Sequence, residues 1–580
     1  MTNNKHTLKW ISAVAGKKKI MILALLVIQA VLGITGVLYA LILRKMIDAA
    51  VSADLNGFTY WVIVFVGTVA LQLVVRAVGR FAEEYTRSSL ENRYKEKLFA
   101  ALLNKEYSDV SRIHSGEWLN RLTSDTVVVS DGMTQIVPGV TGMIVRLFGA
   151  LAAILVLVPM FGWFIIPGGL LLLLLSYMFR KVLKKLHKQV QEKDGRLRIF
   201  FQDYLGSLLM VKTFGVEKRV NSDAIDKMNE HKKARLKRNH FSNVCNIGFG
   251  AIMNGAYVAG AICCCYGIIN GTMTYGTLMA ILQLIGQIQS PFAGITGYLP
   301  RYYSMLASAE RLMDAENLND TEMQQPVSSA DIDEFYNEKY TAIGLKNVSF
   351  TYLPPSVSLD SDTQVERRKI NMPVVLSNIS LEIKKGEYVA FTGTTGCGKS
   401  TLLKLFMCLY AIDEGSRYIL CKDGVMPLTG RWRGLFAYVP QGNYLMSGSI
   451  RDIVCFSDME AANDDVRIKS ALRISCADEF VYNLKDGIDT VLGERGLGLS
   501  EGQMQRIAIA RAIFSDNPIL MLDESTSALD ESTENRLLNN LKQMTDKTVL
   551  IVTHRMSVLS ICDKVVEFGD DGIGICNTTH

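Results

Sequence analysis

The run Gly393-Thr394-Thr395-Gly396-Cys397-Gly398-Lys399-Ser400-Thr401 sets three glycines ahead of a lysine and a pair of hydroxyl residues. An apolar strand-like stretch at 388–392 precedes it and a helix-like stretch at 402–407 follows. That strand-loop-helix context is what the pattern G-x-x-x-x-G-K-[ST] needs in order to hold phosphate. Glycines let backbone N–H groups close around phosphate oxygens, and the positive end of the following helix points at the same place. Lys399 is placed to reach terminal phosphates, and the Ser400 hydroxyl to ligate Mg²⁺. Hydrolysis needs a second, acidic element. The apolar strand Ile519-Leu520-Met521-Leu522 ends in Asp523-Glu524. Asp523 is suited to holding Mg²⁺, directly or through water, and Glu524 to taking the proton of an attacking water as general base. Such a pair is by itself an ordinary strand end, and only its partnership with the phosphate loop gives it chemistry.

These residues need a scaffold, and the 580-residue chain has room for several domains. Lys and Arg number 62 against 57 Asp and Glu, a net +5, which argues against a nucleic-acid protein working by bulk charge. With 49% hydrophobic and 21% charged residues, the chain is too apolar to be disordered and unusually apolar for a wholly soluble protein. The excess lies before about residue 305. Six apolar stretches stand there, near 20–43, 60–78, 136–160, 164–178, 247–269 and 277–299, most of them close to the length that crosses a bilayer. The first is too long, and lacks the small-residue cleavage pattern, to be a removable signal peptide. Eleven Cys form no paired spacing, and Cys263, Cys264 and Cys265 fall inside an apolar run, so reduced thiols are expected rather than disulfides or zinc. After about residue 340 short strand-like runs alternate with Gly-rich turns. The expected fold is therefore a membrane all-α domain of six transmembrane helices at 1–318, a linker at 319–340 and an α/β phosphate-loop nucleotide-binding domain at 341–580.

Basic residues orient the spans, because Lys and Arg are retained on the cytoplasmic side. Lys5, Lys9, Lys17, Lys18 and Lys19 precede span one, and Arg87, Arg93, Lys95, Lys97, Lys105, Arg112 and Arg121 lie between spans two and three, whereas 161–163 and 270–275 carry no charge. Both termini are expected in the cytoplasm, with 83–135 and 179–246 projecting inward as helical extensions of the spans. Arg44 and Lys45, at the outer end of span one, are an exception. Leu8, Trp10, Ile11 and Val14 interleave with Lys and Ser as in a short helix lying in the membrane interface.

Between the phosphate loop and Asp523 stands Leu499-Ser500-Glu501-Gly502-Gln503, followed by a helix-like run. This segment resembles the LSGGQ signature of the ATP-binding cassette superfamily, with Glu501 in place of the first glycine. The resemblance assigns Tyr352 to adenine stacking, Gln441 to the Q-loop beside the metal, Ser527-Ala528-Leu529-Asp530 to the D-loop and His554 to the switch histidine, all in the family's order. Gly493-Glu494-Arg495-Gly496 looks like the X-loop of exporters. The run 116–125 looks like a coupling region, which implies coupling helices near 107–116 and 214–219. Six spans fused ahead of such a domain resemble an exporter half-transporter, similar to bacterial lipid and multidrug exporters and to one half of P-glycoprotein. The resemblance implies ATP and Mg²⁺ at the site. It also implies a head-to-tail pair in which Ser500, Gly502 and Gln503 meet the ATP held by Gly393 to Thr401 of the other copy, with Asp530 nearby. Glu501, a carboxylate near triphosphate, is expected to turn to solvent or meet an Arg.

One phosphate loop and one signature per chain require two chains, and because Lys399, Gln441, Ser500, Asp523, Glu524 and His554 are all present, a homodimer is favoured over pairing with a related half-transporter. In span six Gln283, Gln287, Ser290, Gly294 and Gly297 share one helical face, which assigns the two glutamines to a substrate cavity and the glycines to packing. Arg146 in span three is an intramembrane cation, a cavity candidate whose alternative is snorkelling to headgroups. The expected function is export, powered by ATP hydrolysis and alternating access, of a hydrophobic or amphipathic cargo such as a lipid, drug, peptide or siderophore. Membrane lipids and a second copy are the expected partners, with no nucleic acid, and the bacterial cytoplasmic membrane is the expected location. An ATP-gated channel or nucleotide-dependent membrane regulator is the competing class. The polar stretch 353–373 is read as an exposed loop.

Overall fold

The computed structural model describes residues 2–316, 318–319, 327–352, 374–442, 445–493, 498–569 and 572–577, with parts of the helices, including 162–178 and 289–296, described as backbone only. The loop 353–373, most of the X-loop and the middle of the linker lie outside these residues. The chain divides into two compact units, Met1–Phe99 with Leu119–Met313, and Ala100–Trp118 with Asp314–His580.

The first unit is helical. Its elements run α1 (Thr2–Ala15), α2 (Lys19–Val51), α3 (Leu55–Asn104), then α4 (Tyr107–Val110) of the second unit, α5 (Ser115–Asn120), α6 (Thr126–Asp131), α7 (Val137–Leu157), α8 (Gly162–Gly206), α9 (Leu208–Thr213), α10 (Glu217–Ile269) and α11 (Tyr275–Asp314). At about 1.5 Å per residue, the 50 residues of α3 and 53 of α10 reach far past the ~30 Å hydrocarbon core. Among the described residues four helical stretches are long and apolar enough to cross a membrane, Lys5–Val51, Leu55–Asn104, Ser115–Leu157 and Glu217–Ile269, and Tyr275–Ile288 is a shorter apolar helix. The expected span at 164–178 falls in the part of α8 described as backbone only.

Glycine sets how closely α2 and α7 approach. A Cβ on Gly142 would lie 3.2 Å from the Gln29 carbonyl, and one on Gly149 3.1 Å from Val37 Cγ2, the small-residue packing that membrane helices use in place of a hydrophobic drive. Val37, Ala40, Ala150, Ile154, Cys264, Ile281 and Leu284 form the buried core beside this contact, which makes Cys264 a packing residue, whereas Cys263 and Cys265 are exposed. Two π-helical turns, Arg121–Asp125 and Gly132–Ile136, interrupt the helix that begins at α5. Both meet α11: Asp125 accepts hydrogen bonds from Arg311 Nε at 2.8 Å and Ser308 Oγ at 2.9 Å, and a Cβ on Gly132 would strike Met305. Such widened turns redirect side chains, here towards a neighbouring helix.

Two expectations change. The apolar face of α1 is covered by the protein itself: Ile11, Val14 and Ala15 are buried, Tyr94 Oη donates to the Ile11 carbonyl at 3.1 Å, and Trp10 lies 6.0 Å from the Tyr94 ring. Leu8, at 37%, remains exposed on that face and Trp10 is half-buried, so the cover is partial. The outer cation Arg44 is answered one helical turn on by Asp48, 3.6 Å away, whose other oxygen accepts the Gly276 N–H at 3.0 Å and ties the end of α2 to the start of α11.

The second unit is α/β. After α12 (Ser329–Glu338) come β1 (Tyr340–Phe350), β2 (Leu376–Lys384), β3 (Tyr388–Gly393), β4 (Glu414–Cys421), β5 (Gly424–Pro427), β6 (Phe436–Val439), β7 (Gly448–Ser449), β8 (Val491–Leu492), β9 (Ile519–Asp523), β10 (Thr548–Val552), β11 (Lys564–Gly569) and β12 (Gly572–Asn577). An antiparallel sheet is ordered β2-β1-β4-β5, and a six-stranded sheet β12-β11-β3-β10-β9-β6. In the latter the five strands from β11 to β6 are parallel. Every residue of β9 and β10 is buried, as for parallel strands covered on both faces. Register brings the strand ends together: Asp523 pairs with Val552, Leu522 with Val439, and Val552 with Phe391. The segments leaving β3, β6, β9 and β10 therefore emerge side by side at the carboxyl edge, where open parallel sheets bind ligands.

Candidate functional site

The phosphate loop leaves β3 with Gly393, Gly396 and Gly398 all at positive φ, +133°, +88° and +102°. At Gly393 a Cβ would also lie 2.7 Å from the Phe568 carbonyl, so only glycine fits. The loop opens the helix Lys399–Phe406, whose free N–H groups face back into it. Lys399 is buried, its ammonium donating to the carbonyls of Gly393 at 2.8 Å and Thr394 at 2.9 Å, with Cys397 Sγ 3.7 Å away. The cation thus sits inside the curl of the loop.

One residue further, Ser400 Oγ donates to Asp523 Oδ1 at 2.7 Å, and Tyr438 Oη donates to Asp523 Oδ2 at 3.0 Å. Burial pushes the Asp523 carboxyl above the usual carboxylate range, against the pull of these two hydrogen bonds. A hydroxyl and a carboxylate converging here are hard oxygen donors of the kind Mg²⁺ takes alongside substrate phosphates, so the residues fit that ion. Glu524 stands beside them with φ +50°, a left-handed conformation that costs about 1–3 kcal/mol for a residue with a Cβ. Its N–H donates to the Val552 carbonyl at 3.2 Å. The carboxylate accepts from Gln441 Nε2 at 2.5 Å and lies 3.8 Å from His554 Nε2. The structure therefore joins Lys399, Ser400, Gln441, Asp523, Glu524 and His554 in one group, as their strand ends require.

Tyr352, just past β1, shares a 3.0 Å hydrogen bond between its hydroxyl and Thr401 Oγ1, which puts the aromatic beside the phosphate loop. The signature is built as a helix start. Ser500 caps the helix Glu501–Phe514 in a capping box with Gln503: Gln503 N donates to Ser500 Oγ at 3.3 Å and Ser500 N to Gln503 Oε1 at 2.9 Å. Glu501, in the first turn, is exposed, and a carboxylate there is favoured by the helix dipole. Gly502 admits no side chain, since a Cβ would lie 2.8 Å from the Ala528 carbonyl. Asp530 has a local task at the start of the helix Glu531–Lys542: it accepts from Ser532 Oγ at 2.5 Å and, as the cap, from Thr533 N at 3.0 Å, and these hydrogen bonds hold its carboxyl well below the usual range.

Three residues that the motifs do not name bind the loops together. Gln505 donates to Ser527 Oγ and accepts from Ala528 N, both at 3.1 Å, fixing the signature helix to the 527–530 loop. Arg555 donates to the carbonyls of Ser527 at 2.8 Å and Leu529 at 3.0 Å and lies 3.1 Å from Glu534, whose side chain is 1% exposed. The adjacency of Arg555 to His554 was the one signal in the sequence.

The membrane residues are less convergent. Gln287 Nε2 donates to the Gly36 carbonyl at 2.6 Å, which makes this side chain a contact between α11 and α2 instead of a free cavity group. Gln283 is exposed and Arg146 half-buried. Among the described residues nothing stands within 4 Å of a Cβ built on Gly297, and Ser290 and Gly294 fall among the backbone-only residues. The first expected coupling helix is a single turn, α4, and the second expected stretch, 214–219, holds the turn at Gly215 (φ +64°) and the start of α10.

Residues 21–292 match the family described as ABC transporter transmembrane region, and residues 376–527 the family described as ABC transporter. Leukotoxin translocation ATP-binding protein LktB of Mannheimia glucosida is 26% identical over 97% of this chain and 76% of its own length. ABC multidrug transporter mdr2 of Aspergillus fumigatus is 27% identical over 91% of this chain and 65% of its own length. A solved bacterial Atm1-family ABC exporter with ATP bound superposes with TM-score 0.73 at 21% identity, covering 96% of this chain and 94% of that one, a likeness of fold.

Proposed function

The chain belongs to the ABC transporters, a transmembrane region fused to the ATP-hydrolysing domain of an exporter, and from that premise we propose that two copies form a homodimer with two complete ATP sites. The observation that carries the reading is the Glu524 carboxylate, held between Gln441 and His554 beside the Ser400–Asp523 pair. Glu524 takes the proton of the attacking water, Gln441 and His554 hold its carboxylate in place, and Lys399 with the loop amides of Gly393 to Thr401 binds the β- and γ-phosphates. Tyr352 stacks on the adenine, and Ser500, Gly502 and Gln503 of the partner copy close over the γ-phosphate. Mg²⁺, held by Ser400, Asp523 and Gln441, would neutralise charge on the phosphate oxygens. The exposed apolar tip of Leu209, Met210 and Phe214, at 76%, 57% and 74%, supports a partner surface for a second copy.

Closure on ATP drives the spans from inward to outward facing, and hydrolysis resets them. The cargo is hydrophobic or amphipathic, a reading that the name of the multidrug transporter mdr2 supports for drugs, and we assign exposed Gln283 and half-buried Arg146 as the polar groups that meet it. Both termini are cytoplasmic, and the membrane is a bacterial cytoplasmic membrane. The test is ATPase activity of this chain, expressed alone and reconstituted in lipid nanodiscs, with and without Glu524→Gln. Activity of the lone chain, lost about 10²- to 10⁴-fold in the variant while ATP binding persists, is expected. A lone chain that binds ATP without turnover, or a variant as active as wild type, would refute the homodimer or the base respectively.

A further inference from the structure

The adenine platform does not stand alone. Tyr352 is one of four rings in the second unit that touch in sequence. Its centroid lies 4.9 Å from Phe350 at 85° and 5.4 Å from Tyr410 at 88°, and Phe350 and Tyr410 close the triangle at 5.6 Å and 65°. These edge-to-face angles are the ones aromatic quadrupoles favour. With two ring edges against it and its hydroxyl bonded to Thr401, the Tyr352 ring has a set orientation while remaining 37% exposed. A platform prepared in this way loses little rotamer freedom when a base settles on it.

Tyr410 is itself fixed. It follows the phosphate-loop helix, and Arg417 Nη1 donates to its carbonyl at 2.8 Å and to that of Leu405 at 3.1 Å. On its other side the ring meets Tyr107 of α4, 5.9 Å away at 87°. That short turn is moored as well. Asp109, 2% exposed, accepts from Asn319 N at 3.0 Å and Asn319 Nδ2 at 2.9 Å, and Glu106 N donates to the Asn319 carbonyl at 3.0 Å. Rings therefore run without a gap from the nucleobase platform to a helix turn held against the segment that follows α11.

We infer that Tyr410 is a positioning residue for nucleobase recognition, setting the Tyr352 ring against the base, and that through Tyr107 it makes α4 respond to the base rather than to the phosphates alone. The inference rests on the assignment of Tyr352 to adenine stacking. It places specificity for the base in a residue outside every motif.

The test uses the full chain in lipid nanodiscs, with ATP and inorganic tripolyphosphate as probes that share the phosphates and differ in the base. Tyr410→Leu is expected to raise KM for ATP about three- to tenfold, the worth of one aromatic pair, and by more than it lowers kcat. Its inhibition constant for tripolyphosphate stays at the wild-type value, which also reports that the site has folded. Tyr410→Phe, which keeps the ring, retains the wild-type KM. Hydrogen exchange at residues 105–112 slows with ATP and not with tripolyphosphate, and Tyr107→Leu and Tyr410→Leu each abolish that difference. Unchanged KM in Tyr410→Leu, alongside a raised KM in Tyr352→Leu, would overturn the positioning role. Equal protection of 105–112 by both probes would overturn the link to α4. Unchanged KM in Tyr352→Leu would overturn the adenine assignment beneath both.

Discussion

Replacing Arg555 by methionine removes the clamp between the switch-histidine segment and the loop after Glu524, and its effect is calculable from the contacts. Lost are two hydrogen bonds to the carbonyls of Ser527 and Leu529 and the ion pair to Glu534. Glu534 then keeps one neutral donor, Ser557 Oγ at 2.7 Å, for a carboxylate that is 1% exposed. Stranding a buried charge costs about 3–5 kcal/mol. The Arg555 side chain is itself 36% exposed, so water can refill the two carbonyls, and the lower figure of about 3 kcal/mol applies. For a domain of this size that is about 6–12 °C in Tm. Thermal unfolding of the full chain in nanodiscs, at one fixed scan rate, reads it. Glu534→Gln alone should cost less, because the amide still accepts from both partners. The double variant should be more stable than the sum of the single losses, by roughly 0.5–3 kcal/mol, since no charge is left stranded. A shift under about 2 °C for Arg555→Met, or strict additivity in the double variant, would refute the reasoning. ATPase of Arg555→Met should fall more in kcat than in ATP affinity, for the clamp holds the 527–530 loop and not the phosphates.

Asp523→Asn should abolish turnover and yet stabilise the nucleotide-free chain. Burial raises the folded carboxyl above its unfolded value, so the penalty for carrying the charge is present above the folded pKa and vanishes below the unfolded one. The gain in Tm should be full near about pH 8 and shrink as pH falls towards about 4, and a gain independent of pH would count against burial as its cause. Gly502→Val should push the signature helix off the Ala528 carbonyl, 2.8 Å from where its Cβ would stand, and lower kcat at least tenfold in nanodisc ATPase assays. Wild-type turnover in that variant would mean the contact yields without consequence.

The nucleotide site was legible because its parts are local. A phosphate loop is nine consecutive residues, and a cap such as Ser500 with Gln503 reaches three residues along its own chain. The spans and their long extensions were legible for a similar reason, since length and apolarity are properties of one helix. Less of the membrane path was legible. Gln283 and Gln287 share a helical face by spacing, but only the approach of α2 shows that Gln287 spends its amide on the Gly36 carbonyl. The interleaved residues of α1 fit a lipid surface as well as a protein groove, and Tyr94 decides between them from 83 positions away in sequence.

Taken alone, the sequence determined the ATP-hydrolysing class of the motor and its fusion to a membrane region, because each rests on residue type, short spacing or apolarity summed along the chain. Tertiary structure decided what depends on distant segments meeting. It gathered Lys399, Gln441, Asp523, Glu524 and His554 through the register of parallel strands, sealed Glu534 against Arg555, and set Tyr410 between Tyr352 and Tyr107. Contacts of 2–6 Å across as many as 300 residues of chain carry no local signature, since periodicity reports which face of an element is buried and not what lies against it.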